Sequence, residues 1–298
     1  MAGLKQESKQ TGTRMRTEAR MQEHRLTLRD NAELFYRSWE PDDASAQAVI
    51  FLHRGHEHSA RLFEAIETMA LENTWVFAWD ARGHGQTRDE LRSFQQLVDD
   101  LDEFINHISK SFQIPLNRIS IVAQSFSAVA AAAWVHEQGA EISSLILLAP
   151  AFKINLFVPG AYELLGAAIK IFPEARVPSY VSGAILTRDP IQARLYDNDR
   201  SITRDISARV LLELRREAEK LIDRACSISA PTLLIIPEQD YIVTRREQME
   251  FYSRLRSTKK QLITFKGMRH DVIHDIEKEK ALWAVRDFAL ENFDAMSS

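Results

Sequence analysis

Ile119-Ser120-Ile121-Val122-Ala123-Gln124-Ser125-Phe126-Ser127-Ala128 is the stretch from which the fold can be read. Its first half is a short, β-rich apolar run. The run breaks at a polar serine, and an alanine-rich helical pattern follows. A strand, a sharp turn and a helix in that order push the serine out at the carboxyl edge of a parallel sheet, beside the backbone N–H groups of a helix N-terminus. Such a place suits a nucleophile. The usual form of the turn is Gly-x-Ser-x-Gly, because the serine backbone is strained and the flanking positions lie against neighbouring chain. Ala123 and Ser127 stand where those glycines would be, and both are small, so the match is to the shape of the motif. Serines also precede helices as N-caps, and this stretch alone leaves both readings open.

Upstream of it, Ala48-Val49-Ile50-Phe51-Leu52 and Trp75-Val76-Phe77-Ala78-Trp79 are continuous apolar runs of the kind buried on both faces of a parallel sheet. The first ends at His53-Arg54-Gly55-His56-Glu57-His58-Ser59, the second at Asp80-Ala81-Arg82-Gly83-His84-Gly85. Leu62, Ile66 and Met69 mark a helix between them. Phe94, Leu97, Val98, Leu101, Ile105 and Ile108 recur at helical spacing and predict a long amphipathic helix leading back to the serine strand. Ahead of all these, His24–Leu28 and Glu33–Trp39 alternate in character and read as a β-hairpin.

Downstream, Leu145–Leu148 is the next strand. Thr232–Ile236, a helix near Arg246–Leu255, the strand Gln261–Phe265 and a terminal helix with Leu282, Val285, Phe288 and Phe293 then complete the alternation. Strand and helix in turn predict a doubly wound α/β fold with a mostly parallel sheet. From Ala151 to Ile228 the alternation stops, and helical pieces divided by Pro159, Pro173, Pro178 and Pro190 take over. The expected organisation is a flexible lead-in or short helix over 1–23, an α/β core over 24–150, a helical cap over 151–228 and the rest of the core over 229–298. The first part of the cap, with Leu156, Phe157, Val158, Leu164 and Leu165, is unusually apolar. Val210, Leu211, Leu214, Ala218, Leu221 and Ile222 have helical spacing and read as core.

Composition suits an enzyme-sized globular chain: 298 residues, 45% hydrophobic, 27% charged and a formal net charge of -4. Mild acidity gives no reason to expect nucleic-acid binding. Cys226 is the only cysteine, so no intramolecular disulfide can form, and it reads as a small buried hydrophobe. No run approaches the roughly 18 apolar residues of a membrane span, and the basic first 22 residues lack the apolar segment of a secretory signal. The expected location is cytoplasmic, with loose membrane contact through the cap. Oligomeric state is not legible.

A serine hydroxyl becomes a strong nucleophile when a base takes its proton, and a carboxylate holds that base in place. An acid and a histidine do follow later strands: Asp240 in Pro237-Glu238-Gln239-Asp240, and His270 in Gly267-Met268-Arg269-His270. Ser, Asp, His is the chain order expected on an α/β-hydrolase sheet. Glu238, Asp271, His274 and Asp275 are the reserve candidates. His53, His56, His58 and Glu57 match no metal-ligand spacing, and no metal is expected there.

On these residues the chain resembles α/β-hydrolases of the monoacylglycerol lipase and lysophospholipase group, the serine aminopeptidase or hydrolase-4 family, over essentially Leu26–Phe293. The matches are His53-x-Gly55-x-Glu57-His58-Ser59-x-Arg61, Asp80-x-Arg82-Gly83-His84-Gly85, the Ser125 turn, Asp240 and His270. The His53–Arg61 stretch is closest to bacterial proteins in which such a hydrolase is fused to a methyltransferase, and no domain of that kind is expected within these residues. The resemblance implies that Ser125 attacks an ester carbonyl, His270 shuttles the proton and Asp240 orients His270. It implies an oxyanion hole from the backbone N–H groups of Gly55 and Phe126, and no cofactor. Arg54 and Gln124 replace the family's usual glycine and a common histidine. With His53, Leu156 and Phe157 they are expected to line a substrate pocket. Asp80, Arg82 and His84 are expected to brace the face of the site. The implied substrate is a lipid-like ester, monoacylglycerol or lysophospholipid. The competing reading is a ligand-binding or receptor-like homologue with an idle triad.

Overall fold

The computed structural model describes residue 18 and residues 20–295. Most of the expected lead-in therefore lies outside the described residues. Its end, from Met21, already belongs to a strand, three residues before the hairpin read from alternation.

Strands β1 (Met21–Thr27), β2 (Glu33–Trp39), β3 (Ala48–Leu52), β4 (Trp75–Trp79), β5 (Ile119–Gln124) and β6 (Ser144–Leu148) form one sheet with two later strands. A two-stranded ribbon, β7 (Arg176–Pro178) with β8 (Asp205–Ser207), stands apart from it, and β9 (Thr232–Pro237) and β10 (Lys260–Phe265) complete the sheet. The sheet has eight strands in the order β1-β2-β4-β3-β5-β6-β9-β10. β2 pairs antiparallel with β1 and β4, and every other pairing is parallel. The register sets Leu52 opposite Ala123 and Gln124 opposite Leu148, so the carboxyl ends of three central strands open on one edge. Every residue of β3, β5, β6 and β9 is buried, which is why those runs are apolar without alternation.

Helices cover both faces. α1 (Phe63–Met69) follows β3 through a single 3-10 turn, and α2 (Phe94–Ser111) returns the chain to β5. The Ser93 hydroxyl caps α2 by accepting the Gln96 N–H at 3.0 Å. α3 (Phe126–Gln138) starts directly after Ser125 and is buried all round from Phe126 to Val135. Its alanines let it lie close between the sheet, α2 and a cap helix.

After β6 come α4 (Ala161–Ile171), α5 (Gly183–Leu186), α6 (Pro190–Asn198) and α7 (Ala208–Arg224), then α8 (Arg245–Arg254) and α9 (Lys278–Ala295). The cap is not helical throughout. β7 and β8 are three residues each, too short for alternation to reveal them. α7 packs on α3, and its Val210, Leu211, Leu214, Ala218, Leu221 and Ile222 join the main apolar cluster, as their spacing predicts. α4 has no buried residue, and Leu164, Ile171 and Phe172 there are about two-thirds exposed. Cys226 is exposed, against the sequence reading, because the short turn after α7 directs it to solvent. No helix among the described residues is long and apolar enough to cross a membrane.

Candidate active site

Ser125 sits between β5 and α3 with φ 55° and ψ -112°, a backbone conformation that a non-glycine residue adopts only under constraint from its surroundings. Its N–H donates to the Leu148 carbonyl, and its own carbonyl accepts from Ala128 and Ala151. The two small flanking residues fit as the motif's shape requires. Ala123 is fully buried, and the Ser127 hydroxyl donates to the His53 carbonyl at 2.5 Å. That bond ties the turn to the loop after β3.

The side chains brought together at the strand ends form one hydrogen-bonded line. Ser125 Oγ lies 2.9 Å from His270 Nε2, and His270 Nδ1 lies 2.7 Å from Asp240 Oδ2. Asp240 Oδ1 accepts the N–H groups of Ile242 and Val243 at 2.8 and 3.0 Å, which fixes the carboxylate. With Oδ2 accepting from Nδ1–H, His270 Nε2 is the acceptor that faces the hydroxyl. The hydroxyl can pass its proton to the ring without either group moving.

Beside the serine, the Phe126 N–H opens α3, and Gly55 approaches from the loop after β3. A Cβ at Gly55 would lie 3.4 Å from Phe126 Cβ, so the loop runs close against the first residue of the helix. Neither N–H meets an acceptor among the described residues. Gly55 and Phe126 line the same cavity as Ser125.

A cavity with an empty volume of about 1050 Å³, its open mouth included, reaches Ser125 and His270. Leu91, Phe126, Ile154, Leu156, Val210 and Ile242 give it an apolar lining. Leu156 and Arg54 are among its lining residues. His53, Gln124 and Phe157 are not, and those three expectations are corrected. His53 is buried beneath the loop, with Nε2 accepting the Ala81 N–H at 3.0 Å and Nδ1 donating to the Arg54 carbonyl at 2.7 Å. Gln124 points behind the site, where Nε2 reaches the His270 carbonyl and Asp271 Oδ1, both at 3.4 Å. Phe157, with φ 55°, turns outward against Tyr180 and is 68% exposed.

Arg54 is wholly buried. Burial opposes its charge, but Glu57 and Asp271 favour it and hold its pKa above the ordinary arginine value. Its Nη2 lies 2.8 Å from Glu57 Oε1, and its guanidinium lies over the Tyr196 ring at 4.8 Å. Glu57 also accepts from Arg61 Nε at 2.5 Å, and Asp271 pairs with His274 at 3.0 Å. Glu57, Asp271 and His274 are close enough to share a cation, but the guanidinium groups of Arg54 and Arg61 already supply the positive charge there. None of the reserve residues reaches Ser125. Asp271 and His274 belong to this network, Asp275 binds Arg188, and Glu238 stands near Arg245 at 3.9 Å.

The Asp80–Gly85 loop braces the site as expected. Asp80 accepts the N–H groups of Ser59 and Gln86 at 2.6 and 2.8 Å, and Arg82 forms a two-bond pair with Asp100. Sequence reasoning missed Ile154, Tyr180 and Ile242 as cavity residues, because nothing in their spacing distinguishes them from cap or loop packing. It read Val210 and Leu211 as core, and they are core residues that also face the cavity.

The Hydrolase_4 family, described as serine aminopeptidase, S33, matches residues 43–277. The chain belongs to this family. Among curated relatives, the YnbC protein of Escherichia coli (strain K12) is 38% identical over 270 residues, covering 89% of this chain and 46% of YnbC. The chain thus spans about half the length of that relative. Phospholipase YtpA of Bacillus subtilis (strain 168) is 24% identical over 84% of this chain and 97% of its own. Among solved structures, a Paleococcus ferrophilus monoacylglycerol lipase superposes with a TM-score of 0.79 at 20% identity, covering 87% of this chain and 99% of that one. At that identity the likeness carries the α/β-hydrolase fold alone.

Proposed function

We propose that this S33-family chain is a cofactor-independent serine hydrolase that cleaves a carboxylic ester of a lipid-like substrate through an acyl-enzyme on Ser125. The observation that carries the reading is the continuous Asp240–His270–Ser125 line at the floor of an apolar cavity. In the first half-reaction Ser125 Oγ attacks the ester carbonyl carbon, and its proton moves to His270 Nε2. Asp240 stabilises the imidazolium. The carbonyl oxygen, now an anion, receives the Gly55 and Phe126 N–H groups, each worth about 3 kcal/mol of barrier in comparable sites. Collapse breaks the bond to the alcohol, which leaves with the proton from His270. Water then repeats the sequence on the acyl-enzyme and releases the acid.

The substrate class follows from the apolar lining and from the pairing of the arginines within it. The apolar wall suits an acyl chain, each buried methylene of which contributes about 0.8 kcal/mol. The arginines that line the cavity are already neutralised. Arg176 binds Glu90 and Asp205 at 3.0 and 2.6 Å, Arg54 binds Glu57, and Arg82 binds Asp100 and Asp30. An anionic headgroup would find no unpaired arginine among these, which favours an uncharged alcohol such as that of a monoacylglycerol. Phe157, Val158, Leu164, Ile171 and Phe172 form an exposed apolar group on the cap, and this supports loose contact with a lipid surface.

The test is hydrolysis of p-nitrophenyl esters from short to long acyl chains by the wild type, Ser125→Ala and His270→Ala, with fluorophosphonate labelling alongside. Activity and labelling that both substitutions abolish support the reading. A wild type that is inert and unlabelled, yet is shifted in melting temperature by a monoacylglycerol, refutes it in favour of a binding protein.

A further inference from the structure

Gly55 has no side chain to fix its peptide, so something else must hold the N–H that the hydrolase reading assigns to the oxyanion. The next residue, His56, has a left-handed backbone with φ 75°, a state that persists only where the surroundings impose it. Three neighbours do so. The His56 N–H donates to His84 Nε2 at 3.1 Å, and His84 Nδ1 donates to the Arg82 carbonyl at 2.8 Å, so His84 is locked as the acceptor. The His56 carbonyl accepts the Thr203 N–H at 3.0 Å. The His56 ring meets the Ser179 hydroxyl at 3.1 Å.

Ser179 and Thr203 both belong to the cap, and both flank the β7/β8 ribbon. Ser179 follows Pro178, and Thr203 stands two residues before Asp205. The Thr203 hydroxyl also donates to the Gly83 carbonyl at 2.9 Å, one residue from His84. The ribbon also presents Val177 and Ile206 to the cavity, which Ser179 and Thr203 line beside them. One small element therefore touches the space for the acyl chain and grips the residue next to the candidate oxyanion donor.

We propose that His56 is a positioning residue, clamped between His84 and the cap ribbon, through which an acyl chain lying on Val177 and Ile206 seats the Gly55 N–H for the reaction at Ser125. The inference rests on the serine hydrolase reading. Binding energy from the remote chain is then spent on completing the oxyanion hole, and it raises kcat as well as lowering KM.

The experiment measures kcat and KM for p-nitrophenyl butyrate and p-nitrophenyl laurate with the wild type, Ser179→Ala, His84→Leu and His84→Gln. The wild type is expected to show a higher kcat on the longer ester. Ser179→Ala removes that advantage, lowering kcat on laurate roughly tenfold with KM little changed. His84→Leu, which keeps volume and loses the acceptor, lowers kcat on both esters by about 10- to 100-fold, up to the scale of a donor misplaced but not lost. His84→Gln restores most of it, because the amide oxygen can accept the His56 N–H. Melting temperatures check that each variant is folded. If His84→Leu is not, the Ser179→Ala comparison decides alone. An active wild type whose variants keep kcat, or lose only KM, overturns the positioning role and leaves the hydrolase reading standing. A wild type that neither turns over nor takes the fluorophosphonate overturns both.

Discussion

Acidification from pH 6.5 to pH 5 is expected to destabilise the fold from within the site. Burial pushes the His56 imidazole down to about 4, with the Arg54 charge adding to the effect. Burial likewise pushes His84 down to about 3, with His53 next in importance. Both folded values lie below the unfolded value of 6.5. As pH falls, the unfolded chain therefore takes up protons that the native protein refuses. Their contribution is complete above the unfolded pKa and is lost as pH drops toward the folded values. Between pH 6.5 and pH 5 the loss is about 1.5 kcal/mol for each ring. His53, fully buried, shifts in the same sense. His274 acts in the opposite sense. Burial opposes its charge, but Asp271 holds its pKa above the ordinary histidine value, so its contribution is already present below about pH 6.5 and fades only as pH rises. Urea unfolding followed by tryptophan fluorescence at the two pH values gives the difference directly. His56→Asn, which tolerates the left-handed backbone, and His84→Gln are each expected to reduce the loss by about 1.5 kcal/mol. A wild type that loses less than about 1 kcal/mol, or variants that lose as much as the wild type, would refute the assignment of neutral buried rings.

Three other outcomes are expected. Ser125→Ala or His270→Ala lowers kcat by roughly 10⁴- to 10⁶-fold, and Asp240→Asn by about 10⁴-fold, read with p-nitrophenyl esters against melting temperatures near wild type. Gly85→Ala places a Cβ 2.1 Å from Asp80 Oδ2 and 2.7 Å from His58 Cβ at φ +53°. It should cost about 3 kcal/mol or more in urea unfolding, and near-wild-type stability would show that the loop yields. Leu164→Ser with Ile171→Ser is expected to lower flotation with liposomes while activity on a short soluble ester is retained. Flotation equal to wild type would remove α4 from the proposed lipid contact.

The α/β architecture was legible because its four central strands are buried on both faces and so carry unbroken apolar runs. Asp240 and His270 were legible for a related reason: each follows the end of such a strand, and chain order then places both beside Ser125. Which way a strand-end side chain faces was not legible. Gln124 and Ser125 are neighbours in sequence, yet the turn sends Gln124 toward Asp271 behind the site and Ser125 into the cavity. His53 looked like a mouth residue and instead carries two backbone hydrogen bonds under the loop. Glu57 stands within a run of polar residues, and nothing in that run shows that it is fully buried and paired with two arginines. The ribbon escaped notice because two strands of three residues leave no period to detect, although the residues flanking it supply the contacts that reach His56.

The helix that begins at Phe126 is enclosed on every side for its first ten residues. Such a helix has no compliant face. Bulk added at Ala130 or Ala133, both fully enclosed, has to be taken up by strained side chains or by a backbone shift of a helix whose first residue follows Ser125. Variation in the shape of the cavity has to be sought in the cap and the ribbon, since the rod that starts beside Ser125 has no slack to give.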